Sequence, residues 1–228
     1  MVVREAAQEG GDPPIAPLSK RKIPTRRHYH DVPDYRRRLP HVFATRQPVF
    51  LTWRLHGSLP PNRFFKPGTL TSGQAFVAMD RILDGGRIGP VYLGQPRIAE
   101  VVHEAMLYAA GTLHHFELHA FVVMPSHVHM LVTPKVPLPV LMKSLKSITA
   151  KRANEILKLT GKPFWQDESF DRNVRSHEEF ERIRGYIEWN PVHAGLARVP
   201  EEYRWSSAAG AIRGSPADQG VRPPLGFR

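Results

Sequence analysis

The chain has 228 residues, with 32 Lys and Arg against 21 Asp and Glu, a net charge of +11 and a pI near 10.2. That length holds one domain of moderate size plus tails, and the charge points to a polyanionic partner, nucleic acid before membrane. With no cysteine, disulfides and thiolate metal sites are excluded and a cytoplasmic location is expected. No apolar run is long enough for a membrane span, and Glu9-Gly-Gly-Asp-Pro-Pro14 does not read as a signal peptide.

Residues 1–40 carry nine basic and five acidic side chains and almost no periodic apolar signal. They read as a flexible basic arm, with possible order at Tyr35–Arg38. The folded domain is expected over 41–208 and a loose Gly/Pro-rich tail over 209–228. Val49-Phe-Leu-Thr-Trp-Arg-Leu55 is a β-type run, and Gly57–Gly68 a proline-laden loop. Helical spacing follows over Ser72–Leu83 and Ile98–Leu113. In the second, Val101, Val102, Ala105, Met106 and Ala109 share one side.

The next segment is Phe121-Val-Val-Met-Pro-Ser-His127-Val-His129-Met-Leu-Val132. Met124-Pro-Ser126 reads as a tight turn between strands over Leu118–Met124 and His127–Thr133. Strand side chains alternate, so His127 and His129 share a face while Val128 and Met130 enter the opposite layer. Two imidazoles side by side can share one metal ion. A His-x-His pair alone means little among 12 histidines, and His28-Tyr-His30 lies in a basic, proline-flanked stretch. The hairpin context is what makes the second pair a candidate site.

Pro137–Leu159 has the spacing of an amphipathic helix. Leu138, Leu141, Leu145, Ile148 and Ile156 fall within about 80° of one another. Lys143, Lys146, Lys151 and Lys158 cluster opposite, either as a solvated face or as a phosphate-contacting one. Arg152 projects from the apolar stripe and either snorkels or reaches a buried anion. Lys162–Arg172 reads as a bent fourth strand, centred on 164–170. Ser176-His-Glu-Glu179 is a capping-box pattern opening a helix to about Asn190, where Pro191 is expected to stop it. Phe180, Ile183 and Ile187 form its buried stripe, with Tyr186 and Asn190 stacked along one edge. Gly185, costly inside a helix, predicts a close approach to the backbone there.

Met124-Pro-Ser-His-Val-His129, with Tyr186-Ile-Glu-Trp-Asn190-Pro-Val-His-Ala-Gly195-Leu downstream, resembles the single-tyrosine HUH transposases. The nearer resemblance is to their REP-associated tyrosine transposase branch. It extends to Phe50-Leu-Thr-Trp-Arg-Leu-His-Gly-Ser-Leu-Pro60, Trp165-Gln-Asp-Glu-Ser-Phe-Asp-Arg172 and Trp205-Ser-Ser207, covering about residues 42–208. Either half-motif alone is weak; the two in this order and spacing are specific. Ser126 stands where the family usually has Asn, and His193 where it usually has Arg. Neither is expected to touch the chemistry directly.

The resemblance implies an α+β fold: a ferredoxin-like antiparallel sheet with helices packed mainly on one face. It implies Tyr186 as nucleophile and Asn190 as third metal ligand beside His127 and His129, with Mg²⁺ or Mn²⁺ as cofactor. Tyr186 would attack phosphorus and form a 5′-phosphotyrosine; a free phenol titrates near pH 10, so nearby positive charge must favour its ionisation. The implied partner is single-stranded DNA bearing a hairpin, bound by a monomer or homodimer. Lys143, Lys146, Lys151 and Arg152 are candidate nucleic-acid contacts, and Trp53, Trp165 or Trp189 candidate base-stacking residues. Tyr203 is too far from the motif to count as a second nucleophile. A non-catalytic hairpin-binding relative and a metal-dependent hydrolase with a purely structural Tyr186 are the competing readings.

Overall fold

The computed structural model describes residues 47–59, 80, 83 and 89–212, the side chains of 210–212 excepted. The basic arm, most of the 57–68 loop, the expected 72–83 helix apart from Asp80 and Leu83, and residues 213–228 lie outside that range. Strand β1 is Val49–Arg54. Helix α1 is Pro96–Gly111, with Pro96 in its first turn, where its missing N–H is no loss. The hairpin strands are β2, Phe116–Val123, and β3, His127–Pro134. Helix α2, Leu138–Leu157, strand β4, Phe170–Asn173, and helix α3, His177–His193, complete the domain.

The sheet order is β2-β3-β1-β4, and each neighbouring pair is antiparallel. The architecture is α+β, as expected, and β3 is an inner strand. Period-2 alternation divides the sheet into two faces. On one, Leu51, Trp53, Val123, Val128 and Met130 pack with Ile98, Val102, Met106, Leu141 and Leu145 of α1 and α2. On the other, Phe50, Ala120, Val122 and Leu131 pack with Ile187, Phe180, Ile183 and Tyr186 of α3. The expected α1 stripe is buried residue for residue.

Four expectations shift. Helix α2 buries Met142, Thr149, Ala153 and Asn154, whereas Ile156 is exposed. The stripe turns polar there because Thr149 Oγ1 accepts from Trp165 Nε1 at 2.8 Å and Asn154 Nδ2 donates to the Lys162 carbonyl at 2.8 Å. The fourth strand starts later than expected. Residues before it meet β1 and the two residues after β1 through a Leu55–Trp165 bridge, the His56 N–H to Phe164 carbonyl and Gln166 N–H to Arg54 carbonyl bonds and the Trp53–Trp165 contact. They form no regular ladder, because the carbonyls of Gln166, Asp167 and Glu168 turn towards Lys146 Nζ. Pro191 lies inside α3 rather than after it. One turn from the helix end, its missing N–H forfeits only a single bond. A Cβ built on Gly185 would meet no atom of the described residues within 4 Å outside its own helical turn, so no close approach among them accounts for it.

Ser176 caps α3 as expected: its Oγ accepts from the Glu179 N–H at 3.1 Å. Glu179 returns its carboxylate to the Arg175 N–H, one residue before the cap, and pairs with Arg172. The free edge of β2 is covered by the segment after α3. Val123 N–H donates to the Trp205 carbonyl, and Ser207 Oγ bonds both the N–H and the carbonyl of Phe121. Covering an edge in this way removes a surface that would otherwise pair with another chain.

Candidate metal and tyrosine site

His127 and His129 project from β3 onto the α3 face, both fully buried. Their rings lie 4.7 Å apart between centroids. The β1–β3 register places Thr52 opposite His129 and Arg54 opposite His127. Thr52 Oγ1 lies 2.7 Å from His129 Nδ1, and Phe50 stacks on the His129 ring at 5.7 Å. Ser126 Oγ lies 3.1 Å from His127 Nδ1 and donates to the Leu83 carbonyl. With its hydrogen committed there, Ser126 accepts from Nδ1–H, leaving the His127 Nε2 lone pair directed into the site. Ser126 therefore bears on the site through His127, as a group that orients a prospective ligand.

Into the same space comes Asp80, 2% exposed. Its Oδ1 lies 3.2 Å from His129 Nε2 and 3.6 Å from His127 Nε2. The three ligand atoms lie within 4.8 Å of one another. Its Oδ2 accepts from the Tyr186 hydroxyl and from Asn190 Nδ2, the latter at 3.4 Å. Tyr186 reaches this point from α3, its ring 5.8 Å from His129 and 6.2 Å from Phe50. Asn190, one turn on, is buried, and its Oδ1 has no hydrogen-bond partner among the described residues. The sequence reading brought His127, His129, Tyr186 and Asn190 together; it missed Asp80. The available signal was an acid four residues after Phe76 and three before Leu83, on what spacing makes the apolar side of a helix.

The electrostatics suit a cation. Burial, then the neighbouring His129, lowers the His127 pKa from 6.5 to about 3 against the pull of Asp80, so its imidazole is neutral and able to ligate. Burial alone would raise the Asp80 carboxyl, but charge and hydrogen-bond contacts with His129, His127 and Asn190 outweigh it and hold it below the usual carboxylate range. Both shifts make folding acid-sensitive. Between 6.5 and about 3 the unfolded chain protonates this imidazole while the folded one does not, so stability is full above that window and falls as pH drops through it. Urea midpoints measured in chelator should be lower at pH 5 than at pH 7; equal midpoints would contradict the assignment.

The donors also fit a metal by distance. With bonds of about 2.1 Å, neighbouring ligand atoms stand about 3.0 Å apart in an octahedron and about 3.4 Å in a tetrahedron. The separations from Asp80 to the two imidazoles, 3.2 and 3.6 Å, lie to either side of the tetrahedral edge, and the Asn190 amide oxygen supplies a further buried acceptor.

Residues 94–190 match the family model described as IS200-like transposase. That segment is similar to the IS200-like transposases. A solved REP-associated tyrosine transposase bound to a REP hairpin is 18% identical, with 81% of this chain and 87% of that chain covered and a TM-score of 0.46. A putative transposase from Deinococcus radiodurans R1 is 18% identical, with 66% and 95% covered and a TM-score of 0.30. No curated protein matches the chain.

The other candidate residues of this chain fall elsewhere. Helix α2, with Lys143, Lys146, Lys151 and Arg152, lies on the sheet face opposite Tyr186. Lys143 and Lys151 are exposed. The Lys146 ammonium donates to three loop carbonyls, and Arg152 pairs with Glu104 of α1 at 3.1 Å. Trp53 and Trp165 are buried against each other on that same far face, so neither can stack on a base; Trp189, on α3, is 48% exposed. Tyr203 donates to the Val123 carbonyl, and burial pushes its phenol up to about 12, the opposite of what a nucleophile needs. Among the described residues, no helix is long and apolar enough to cross a membrane.

Proposed function

We propose that this protein is a metal-dependent single-stranded DNA endonuclease and strand transferase that acts on hairpin-bearing DNA through Tyr186. The match of residues 94–190 to the IS200-like transposase model supports the coarse statement, a transposase-type function on DNA. The observation that carries the finer one is the convergence of a tyrosine hydroxyl, two imidazoles and a carboxylate in one buried cluster. A purely structural tyrosine has no need of that company.

Tyr186 approaches from α3 with its hydroxyl hydrogen on Asp80 Oδ2. Its phenolate oxygen forms the bond to phosphorus as the bond from phosphorus to the 3′ oxygen breaks. The phenol proton leaves, the departing 3′ oxygen takes up a proton, and the 5′ phosphate stays on Tyr186. The phosphoester is exchanged rather than hydrolysed, so rejoining to another 3′-OH needs no nucleotide cofactor. A divalent ion, Mg²⁺ or Mn²⁺, held by His127, His129 and Asn190, supplies Lewis-acid neutralisation of the scissile phosphate when bound. Thr52 and Ser126 hold the two imidazoles at Nδ1, and Phe50 walls the cluster beside His129 and Tyr186.

An unpaired strand suits a nucleophile mounted on a helix, because the backbone must be reached in line. The net charge of +11 supports a polyanionic substrate. Exposed Lys143 and Lys151 are the proposed phosphate contacts. Lys146 and Arg152, proposed with them, first have to leave their partners within the fold. Trp189 is the proposed base-stacking residue. Incubation with end-labelled single-stranded hairpin DNA and Mg²⁺ tests the reading. A protein–DNA species that survives denaturation, and that does not form when EDTA is present from the start, is expected. Binding without that species favours a non-catalytic hairpin binder, and free 5′ phosphates favour a hydrolase.

A further inference from the structure

Among the described residues Asp80 is the one anionic group in the cluster, and it is shared. One carboxylate oxygen faces both imidazoles, and the other accepts from Tyr186 and Asn190. A buried carboxylate so placed has two uses at once. Towards the histidines it stands at the spacing of a ligand in a common coordination sphere. Towards α3 it holds the nucleophile's hydroxyl beside that sphere. Two imidazoles and an amide alone form a neutral donor set, weak for a hard divalent ion, whereas Mg²⁺ and Mn²⁺ are held chiefly through carboxylate oxygens.

We infer that Asp80 is the anionic ligand of the metal centre and, through its second oxygen, the positioning residue for Tyr186. The centre is then His127, His129, Asp80 and Asn190. Three come from β3 and α3, and the fourth from a helical position in the chain before α1. The Asn190 amide serves both sides: its nitrogen steadies Asp80, and its oxygen remains for the ion. This inference rests on the metal reading proposed above.

The test is Mn²⁺ calorimetry on the full-length protein without DNA, for wild type, Asp80→Asn and Asp80→Glu, with apo melting temperatures measured alongside. Asp80→Asn keeps the shape and removes the charge; Asp80→Glu restores the charge on a longer arm. The inference requires a loss of Mn²⁺ affinity of at least about tenfold in Asp80→Asn, the lower range for disturbing groups that support a metal. It also requires substantial recovery in Asp80→Glu. A wild-type affinity in Asp80→Asn overturns it, as does a weakened affinity that Asp80→Glu does not restore. If wild type itself binds no Mn²⁺, the metal reading fails with it. That outcome is distinguishable, because all three proteins are then silent. A second readout addresses positioning: at saturating Mn²⁺, Asp80→Asn should form the covalent DNA species at least tenfold more slowly than Asp80→Glu.

Discussion

Replacing Tyr186 with Phe is expected to eliminate both strand cleavage and the covalent protein–DNA species. The change removes one oxygen, the atom that the proposed reaction joins to phosphorus. The effect should exceed roughly 10⁴-fold, because losing a nucleophile removes the covalent route itself rather than one stabilising contact. The fold should survive. Phe50 still meets the ring edge-on and Ile187 still fills the core beneath α3. What is lost is the hydroxyl bond to Asp80, whose carboxylate keeps Asn190 and both imidazoles as neighbours. The stability cost should therefore be about 1–2 kcal/mol. Hairpin affinity should be close to wild type. A denaturing gel of labelled DNA with Mg²⁺ decides the matter. A persisting adduct in Tyr186→Phe would move the nucleophile elsewhere. Tyr203 is an unsuitable substitute, being committed to the Val123 carbonyl.

The second large effect is expected at the histidines. His127→Ala or His129→Ala should each reduce Mn²⁺ affinity at least 100-fold, to below calorimetric detection. Each removes a buried nitrogen donor whose other ring nitrogen is already held by a hydroxyl. Disturbing such a holding group alone typically costs 10–100-fold, so removing the ligand should cost more. The same variants should lose adduct formation, as should wild type in chelator. Binding of Mn²⁺ unchanged from wild type in either variant would reject the site. Melting temperatures separate this from misfolding, since His129→Ala also removes the surface on which Phe50 stacks.

These two experiments probe residues that were readable in different degrees. His127 and His129 were legible because strand alternation is a local property: two positions apart on a strand is the same face, whatever the rest of the chain does. The same logic found the α1 stripe, the hairpin and the Ser176 cap. Tyr186 and Asn190 were legible as neighbours one helical turn apart, but their meeting with the histidines came only from the family resemblance. Periodicity is silent about which helix face meets which sheet face.

Where the reading went astray, a contact distant in sequence had overridden a local preference. Ile156 turns outward because Thr149 and Asn154 find partners in the segment after α2. The fourth strand is delayed because three carbonyls turn to Lys146. Lys146 and Arg152 looked available for phosphate because their partners lie on other elements. By itself, then, the sequence determined the elements, the two-faced sheet, the histidine pair and the basic balance, all consequences of spacing and composition. Only the tertiary structure decided that α2 and its lysines stand behind the sheet while α3 stands over the histidines, and that Asp80 joins them. A buried carboxylate is stable only among donors that satisfy its charge, and those donors are gathered from separate parts of the chain by packing alone.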